Sequence, residues 1–514
     1  MDILNFHKKL IDNYKTYIQS FLNIKDPTIL KKVNDEIGDK KLWPEPLIQF
    51  NPTFEKGKLL SALVKERHLN GELDNIFTGF SLYRHQEEAI LLGAGGKEFV
   101  VTSGTGSGKS LTYIATIFNH ILNEGESTNN NVQAVIVYPM NALINSQFEE
   151  LKKFEIIYLE HYVGQKIDKK GKTADEIIYE LQQLTAKRFP ITYAPYTGQE
   201  DEAKREALRA NPPHIILTNF MMLEYMMTRG GNDVEIRKNI LGSIKYLVFD
   251  ELHTYRGRKG SDVSILIRRI KSAASNPIKC IGTSATMVSS DNTTLLEQKE
   301  KVAEVASTIF GSEIKSNQVV TEYLVRSIGG GKSPGKNDLK EAINLSLSTE
   351  NGFDDFEQHA VANWIEEQIA LETKEGVLIR RKPATLQDIA EQLAEAAEVE
   401  YEIALIHLQK LLQWANILNS DPEKQKNYLP YRIHQFIAQT GSVYATLGNQ
   451  KSRDLFLDAG LYVENKETKL YPLVFSRASG HEYYCVKLNK NDAKLFPREF
   501  NDVADDEEEG DDSS

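Results

Sequence analysis

Cysteine is almost absent, with only Cys280 and Cys485 among 514 residues. Two cysteines exclude a disulfide framework and a four-cysteine zinc site. Both lie in apolar, strand-like stretches, so buried thiols are expected. No apolar run approaches the ~18 residues a membrane-spanning helix needs, and Met1–Lys15 lacks a signal-peptide core, so a cytoplasmic protein with no membrane partner is expected. A basic excess is missing too: the formal charge of −12 argues at first sight against a polyanionic partner. Asn501–Ser514 carries eight acidic residues and no Lys or Arg, however, which leaves −4 for the rest, so overall charge decides nothing about partners. With 41% hydrophobic and 26% charged residues the body of the chain should fold, and at ~150 residues per domain the length fits about three domains.

From Glu98 to Thr286 short Val- and Ile-rich runs alternate with helical stretches, the pattern of an α/β parallel sheet flanked by helices. Strands are expected at Glu98–Thr102, Val132–Pro139, His214–Thr218, Lys245–Asp250 and Lys279–Thr283. In open α/β sheets ligands gather at the carboxyl ends of the strands. The expected organisation is an N-terminal helical region over 1–75 packing on a sheet domain over 76–310, and a helical linker over 311–383. A helical, winged-helix-like α+β domain over 384–500 and an acidic tail over 501–514 follow. In the fourth segment one helix is expected over Leu386–Ala396 behind the cap Thr385, and a second over Val399–Ile417 with Ile403, Ile406, Leu408, Leu411 and Leu412 as core. The second helix carries Glu400 and Glu402 against Lys410, which suits packing better than reading bases.

Ser103, Gly104, Thr105, Gly106, Ser107, Gly108, Lys109 and Ser110 follow the first strand and precede a helical run, the setting in which backbone N–H groups cradle phosphates. Lys109 would reach the outer phosphates as a point charge, and Ser110 would offer its hydroxyl to Mg2+. Asp250 and Glu251 close the strand ending at Phe249: Asp250 suits the acidic partner of an octahedral Mg2+, and Glu251 suits a base that orients the attacking water. Gly329–Lys336 looks like a second phosphate loop, but no apolar strand feeds it, Pro334 interrupts it and Asn337 replaces the hydroxyl, so a hinge is expected.

The glycine-rich loop, Asp250-Glu-Leu-His253 and Thr283-Ser-Ala-Thr286, in this order, resemble the superfamily 2 DEAD/DEAH-box helicases, specifically over about Ser81–Val288. The phrases Tyr138–Leu143, Thr218–Tyr225 and Asp250–Gly257 are similar to the large bacterial MrfA/YprA-type and defence-island helicases within it. The resemblance implies a RecA-like P-loop domain using ATP and Mg2+, with Gln86 reading adenine and residues 103–110 holding the phosphates. It implies that Ser284 and Thr286, with His253, couple hydrolysis to strand movement. It also implies that Pro139, Asn141, Thr197, Gly198, Thr218 and Asn219 hold the backbone of a nucleic-acid strand, DNA or else RNA. For the Met and Leu residues of Met221–Met227 a helix core face is expected.

A complete motor also needs a second RecA-like domain with an arginine finger, and no such motif follows Thr286; Arg477 is isolated. That second domain is expected in cis or in trans, and this chain alone should turn ATP over weakly. The competing reading is an ATP-gated nucleic-acid-binding or scaffold subunit of a multi-protein complex, for example one of anti-phage defence, without unwinding activity. Arg432–Phe436 is similar to a segment that some such helicases carry beside cysteines; those cysteines are lacking, so no zinc is expected.

Overall fold

A computed structural model describes residues 3–498 apart from 22, 39–41, 105, 286–292, 329–332, 346, 348–351, 423, 425, 439–441, 451, 458–467 and 490–493. The chain divides into two compact units: Thr53–Val325 with Thr373–Ile379, and Met1–Pro52 with Arg326–Glu372 and Arg380–Ser514.

The first unit is built on seven parallel strands: β1 (Phe99–Thr102), β2 (Ala134–Tyr138), β3 (Tyr193–Pro195), β4 (Ile215–Asn219), β5 (Tyr246–Phe249), β6 (Lys279–Ser284) and β7 (Val319–Thr321). Their spatial order is β7-β1-β6-β5-β2-β4-β3. Because successive side chains in a strand point to opposite faces, the apolar runs feed two cores. Phe99, Val101, Ala134, Ile136, Ile215 and Leu217 pack with α1 (Arg84–Ala94), α2 (Lys109–Glu124) and α3 (Asn141–Val163). Val100, Val135, Val137, Ile216, Leu247 and Phe249 pack on the other side with α4 (Phe220–Thr228), α5 (Val234–Ser243), α6 (Gly257–Ala273) and α7 (Leu295–Phe310). This is the RecA-like P-loop architecture. All five expected strands form; β3 and β7, each three residues long and at the sheet edges, escaped the sequence pattern.

The strands end together. Ser284 pairs with Thr102, Gly282 with Phe249 and Tyr138 with Asn219, so the loops that follow β1, β6, β5, β2 and β4 leave from one edge. Cys280 is buried in β6, as expected, whereas Cys485 in the second unit is only half-buried.

The second unit gathers both ends of the chain. Leu47–Phe50 pairs antiparallel with Tyr431–His434 on one side and with Ala384–Thr385 on the other. Ile24 and Ile29, flanking the start of the helix Pro27–Gly38, pack with Val443, Ala445 and Leu473 of a four-stranded antiparallel sheet. The nearly buried Arg453 pairs with Asp26 at 2.7 Å and Glu482 at 2.9 Å across the same contact. The expected single N-terminal region over 1–75 is therefore divided: its first part, to Pro52, belongs to the second unit through strand pairing and this buried ion pair. The strands Thr53–Phe54 and Lys56–Leu59 and the short helices Leu60–Lys65 and Glu72–Ile76 belong with the sheet domain. The expected linker likewise contains β7, so its start is part of the sheet.

The helices Leu386–Ala397 and Tyr401–Ser420 form as expected, and Thr385 caps the first by accepting from the Asp388 backbone N–H. Leu408, Leu411 and Leu412 are buried, but Ile403 and Ile406 are exposed (45% and 54%), because the inward stripe runs through Ala404, His407, Leu408, Leu411 and Ala415. Residues 329–332 of the expected hinge and the acidic tail 501–514 lie outside the described residues. Among the described residues no helix is long and apolar enough to cross a membrane.

Two measurements test these packing assignments. A Cβ on Gly282 would lie 2.2 Å from Leu252 Cδ1 and 3.0 Å from Phe310 Cζ, so Gly282→Ala should destabilise the first unit by about 1–3 kcal/mol in chemical denaturation. In the second unit His359 and His407 stack with ring centroids 5.3 Å apart. Burial pushes each down to about 4; the neighbouring His407 adds for His359 and Lys410 adds for His407, against which a backbone bond at Ile343 works. A depressed histidine leaves stability intact above the ordinary value near 6.5 and removes it as pH falls toward 4. All three tryptophans, Trp43, Trp364 and Trp414, belong to this unit. The melting temperature read by their fluorescence should therefore fall between about pH 6.5 and 4, and more steeply than in His359→Phe/His407→Leu.

Candidate active site

The phosphate loop is shaped by its glycines. Gly106 and Gly108 take φ of +83° and +71°, which L side chains rarely adopt, and a Cβ on Gly108 would lie 2.3 Å from Gln86 Nε2. Lys109, the first residue of α2, is buried and folds back so that Nζ donates to Ser103 O at 2.9 Å and Gly104 O at 3.3 Å. The Ser103 and Ser107 hydroxyls are hydrogen-bonded to each other. Thr105 lies outside the described residues.

Neighbouring elements hold this loop. Gln86 Oε1 accepts from Tyr83 N at 2.9 Å, which closes the first turn of α1, and its Nε2 donates to Ser107 O at 3.2 Å and Gly108 O at 3.0 Å. Gln86 is therefore a buried strut of the loop, neither a solvated helix residue nor free to read a base without exchanging these bonds. His85 Nε2 donates to Ser107 O at 3.0 Å, which fixes its tautomer. Burial lowers it to about 4; the Ser107 bond opposes this and the Lys109 charge adds to it, so the ring is neutral. From the far side Glu322, just past β7, accepts from Gly104 N at 2.9 Å.

The acidic loop leaves β5, one strand beyond β6. Asp250 N donates to Val137 O at 3.0 Å, and the Thr283 hydroxyl donates to Asp250 Oδ1 while accepting from Glu251 N at 3.2 Å. Glu251 is held at φ +54°, a left-handed conformation costly for a side-chain-bearing residue and common where a site is pre-shaped. Burial pushes Asp250 up to about 6; the Thr283 bond opposes this, the charge of Glu251 adds to it and that of Lys109 opposes it. The charge of Lys109 reaches Asp250, which relates the phosphate loop to the acidic loop electrostatically. Tyr113 joins them: its hydroxyl meets Tyr138 Oη at 3.2 Å, bonds Ser110 and feels Asp250. His253 Nδ1 lies 3.2 Å from Glu251 Oε2 and 3.3 Å from Ser284 Oγ, which places this ring nitrogen between the acid and the end of β6. Thr286 lies outside the described residues.

The expected strand-holding residues divide. Asn219 Nδ2 donates to Asn141 Oδ1 at 2.8 Å, bridging the loops after β2 and β4, and Asn219 Oδ1 caps α4. Pro139 and Asn141 are half-buried and Gly198 is exposed. Thr197 and Thr218 are buried, with hydroxyls donating to Glu200 and to Tyr196 O, so here they shape the loops rather than face outward. In α4, Met222, Leu223 and Met226 are core as expected, whereas Met221 is exposed. Sequence reasoning missed His85, Glu322 and the Tyr113–Tyr138 pair. Only Glu322 left a trace, as an acid ending the short Val-Val-Thr run.

Residues 83–294, which contain the phosphate loop, the paired acids and the Thr-Ser strand end, match the family model described as DEAD/DEAH box helicase. The same stretch is similar to curated ATP-dependent helicases. The chain is 28% identical over 215 residues to an uncharacterized ATP-dependent helicase of Methanocaldococcus jannaschii, covering 42% of this chain and 26% of that protein. It is 32% identical over 191 residues to the uncharacterized ATP-dependent helicase YprA of Bacillus subtilis, covering 37% and 20%. The crystal structure of the DUF1998 helicase MrfA bound to DNA matches at 22% identity with a TM-score of 0.36, covering 57% of this chain and 34% of that one. The chain spans between a fifth and about a quarter of the length of these curated relatives.

If the loop geometry is what receives phosphates, Gly108→Ala, which combines backbone strain with a collision at Gln86, should weaken binding of a fluorescent ATP analogue at least about tenfold, the equivalent of ~1.4 kcal/mol. Unchanged affinity would detach the loop conformation from nucleotide binding.

Proposed function

We propose that this chain is the ATP-binding motor portion of an ATP-dependent nucleic-acid helicase or translocase, acting with a second RecA-like domain in cis or in trans. The observation that carries the reading is that Lys109 and Ser110 follow β1 and Asp250 and Glu251 follow β5, the two strands that flank β6, whose Thr283 hydroxyl holds the acids while the Lys109 charge reaches Asp250.

The residues present suit Mg-ATP. The glycines leave the loop backbone free of side chains on the side where phosphates approach, Ser110 and Asp250 supply the hard oxygen ligands Mg2+ prefers, and the metal would neutralise charge on the transferring phosphoryl group. Lys109 exchanges its bonds to Ser103 O and Gly104 O for phosphate oxygens. Glu251 orients and accepts a proton from the attacking water, and its position is kept by the backbone bond to Thr283. A change at Glu251 reaches Ser284 through His253, which supports the coupling role assigned to that pair. Nucleic acid lies across the loops after β2, β3 and β4, near Pro139, Asn141, Gly198 and Asn219. DNA is the proposed substrate from the YprA-type resemblance, with RNA as the comparison arm. An arginine from the second RecA-like domain is worth about 10³–10⁵ in rate, so this chain alone should hydrolyse ATP slowly.

ATP hydrolysis with and without single-stranded DNA or RNA, compared among wild type, Lys109→Ala and Glu251→Gln, tests this. Lys109→Ala should lose nucleotide binding. Glu251→Gln should keep binding and lose about 10²–10⁴-fold in turnover, the range a general base contributes. Equal rates in all three proteins would defeat the enzymatic reading.

A further inference from the structure

The loop leaving the catalytic acids does something helix energetics disfavours. Arg256 stands at the N-terminal cap of α6 and Arg258 and Lys259 fill its first turn, which holds no acidic residue. Cations here face the positive end of the peptide dipoles, where Asp or Glu would be favoured. All three are exposed, and none has an ion-pair or hydrogen-bond partner among the described residues; Lys259 only lies over the Tyr255 ring, Nζ 5.3 Å from its centroid. Asp262, one turn on, pairs with none of them among the described residues. By contrast Arg209, Arg269 and Lys271 of the same unit are each paired with carboxylates.

The backbone that carries the cluster has a defined shape. Gly257 sits at φ +57°, and a Cβ on Gly260 would come 2.6 Å from Tyr255 O, so the turn packs tightly against its own start. Tyr255 is buried edge-on against Phe249 with centroids 5.7 Å apart, which anchors that start to β5. Three like charges thus fall within four consecutive residues at a cost to the helix and with no carboxylate partner among the described residues, which points to an external anion.

Topology says which one. In the order β7-β1-β6-β5-β2-β4-β3, the phosphate loop leaves β1 and the coupling residues end β6, while the loops at Pro139–Asn141, Thr197–Gly198 and Asn219 leave β2, β3 and β4. Strand β5, which launches both the acids and the basic cluster, lies between these groups, one strand spacing (~4.8 Å) from β2. We propose that Arg256, Arg258 and Lys259 are a phosphate-backbone contact for a single nucleic-acid strand, continuing the track of the β3, β4 and β2 loops onto the catalytic loop. This rests on the nucleic-acid reading above and extends it: the segment bearing Glu251 itself senses an occupied track. Backbone contacts of this kind are sequence-independent and release counterions.

The test measures binding of a fluorescent oligodeoxythymidine to the 514-residue chain between about 50 and 200 mM salt. The proteins are wild type, Arg256→Gln/Arg258→Gln/Lys259→Gln, Arg256→Lys/Arg258→Lys, and the charge-matched control Lys166→Gln/Lys170→Gln/Lys187→Gln. At ~0.7 per neutralised phosphate on a single strand, the first variant should lose about 2 from the slope of log affinity against log salt. The lysine-retaining variant and the control should keep the wild-type slope. An unchanged slope in the first variant, or an equal drop in the control, overturns the proposal and leaves the cluster to a protein surface. Absence of any binding by the wild type would overturn it together with the reading beneath it, a different result from wild-type binding with an indifferent cluster.

Discussion

Parallel pairing sets β6 between β1 and β5 with Ser284 opposite Thr102 and Gly282 opposite Phe249, and the chemistry of the first unit depends on that register. It brings the Thr283 hydroxyl beside Asp250 and the Glu251 backbone N–H, where one oxygen donates to the first and accepts from the second. A slip of one residue would turn Thr283 to the opposite face and leave a buried Asp250 without its donor. The packing on one face of the sheet supports the register: Gly282 is bare because Leu252 and Phe310 fill the space a side chain would take. Core packing and the placement of Asp250 and Glu251 are here the same constraint.

The phosphate loop is equally dependent on its surroundings. Gln86, His85 and Glu322 bond the loop backbone at Ser107, Gly108 and Gly104, and Lys109 bonds it at Ser103 and Gly104. These bonds hold the described residues of the loop in place, and a backbone held in this way costs less to order around a ligand. Two of the contacts also report on chemistry. A carboxylate at Gly104 N marks that amide as a donor to negative charge, and a histidine kept neutral by burial donates to Ser107 O without adding a second charge next to Lys109.

The parts legible in the sequence were those where a local pattern carries the physics. Apolar runs at 99–102, 134–138 and 246–249 announced buried parallel strands, and the positions of the glycines, Lys109, Asp250 and Glu251 at the ends of those strands were legible with them. What stayed hidden was long-range. Nothing near residue 85 says that His85 bonds Ser107, and three-residue edge strands such as β7 are too short to show a period, so Glu322 was lost with it. The pairing of Leu47–Phe50 with Tyr431–His434 joins positions almost 400 apart, and no local signal carries it. Ile403 and Ile406 misled for the opposite reason: they fit an apolar count but lie off the stripe that packing selected.

The claim beneath all of this is that the loop ending at Lys109 and the acids at 250 and 251 form one triphosphate site. Calorimetric titration of the chain with a non-hydrolysable ATP analogue, with and without Mg2+, addresses it most directly. The account predicts one site per chain whose affinity rises with Mg2+, with that rise lost in Asp250→Ala and all binding lost in Lys109→Ala. Binding indifferent to Mg2+ and to both substitutions, or no binding at all, would contradict it.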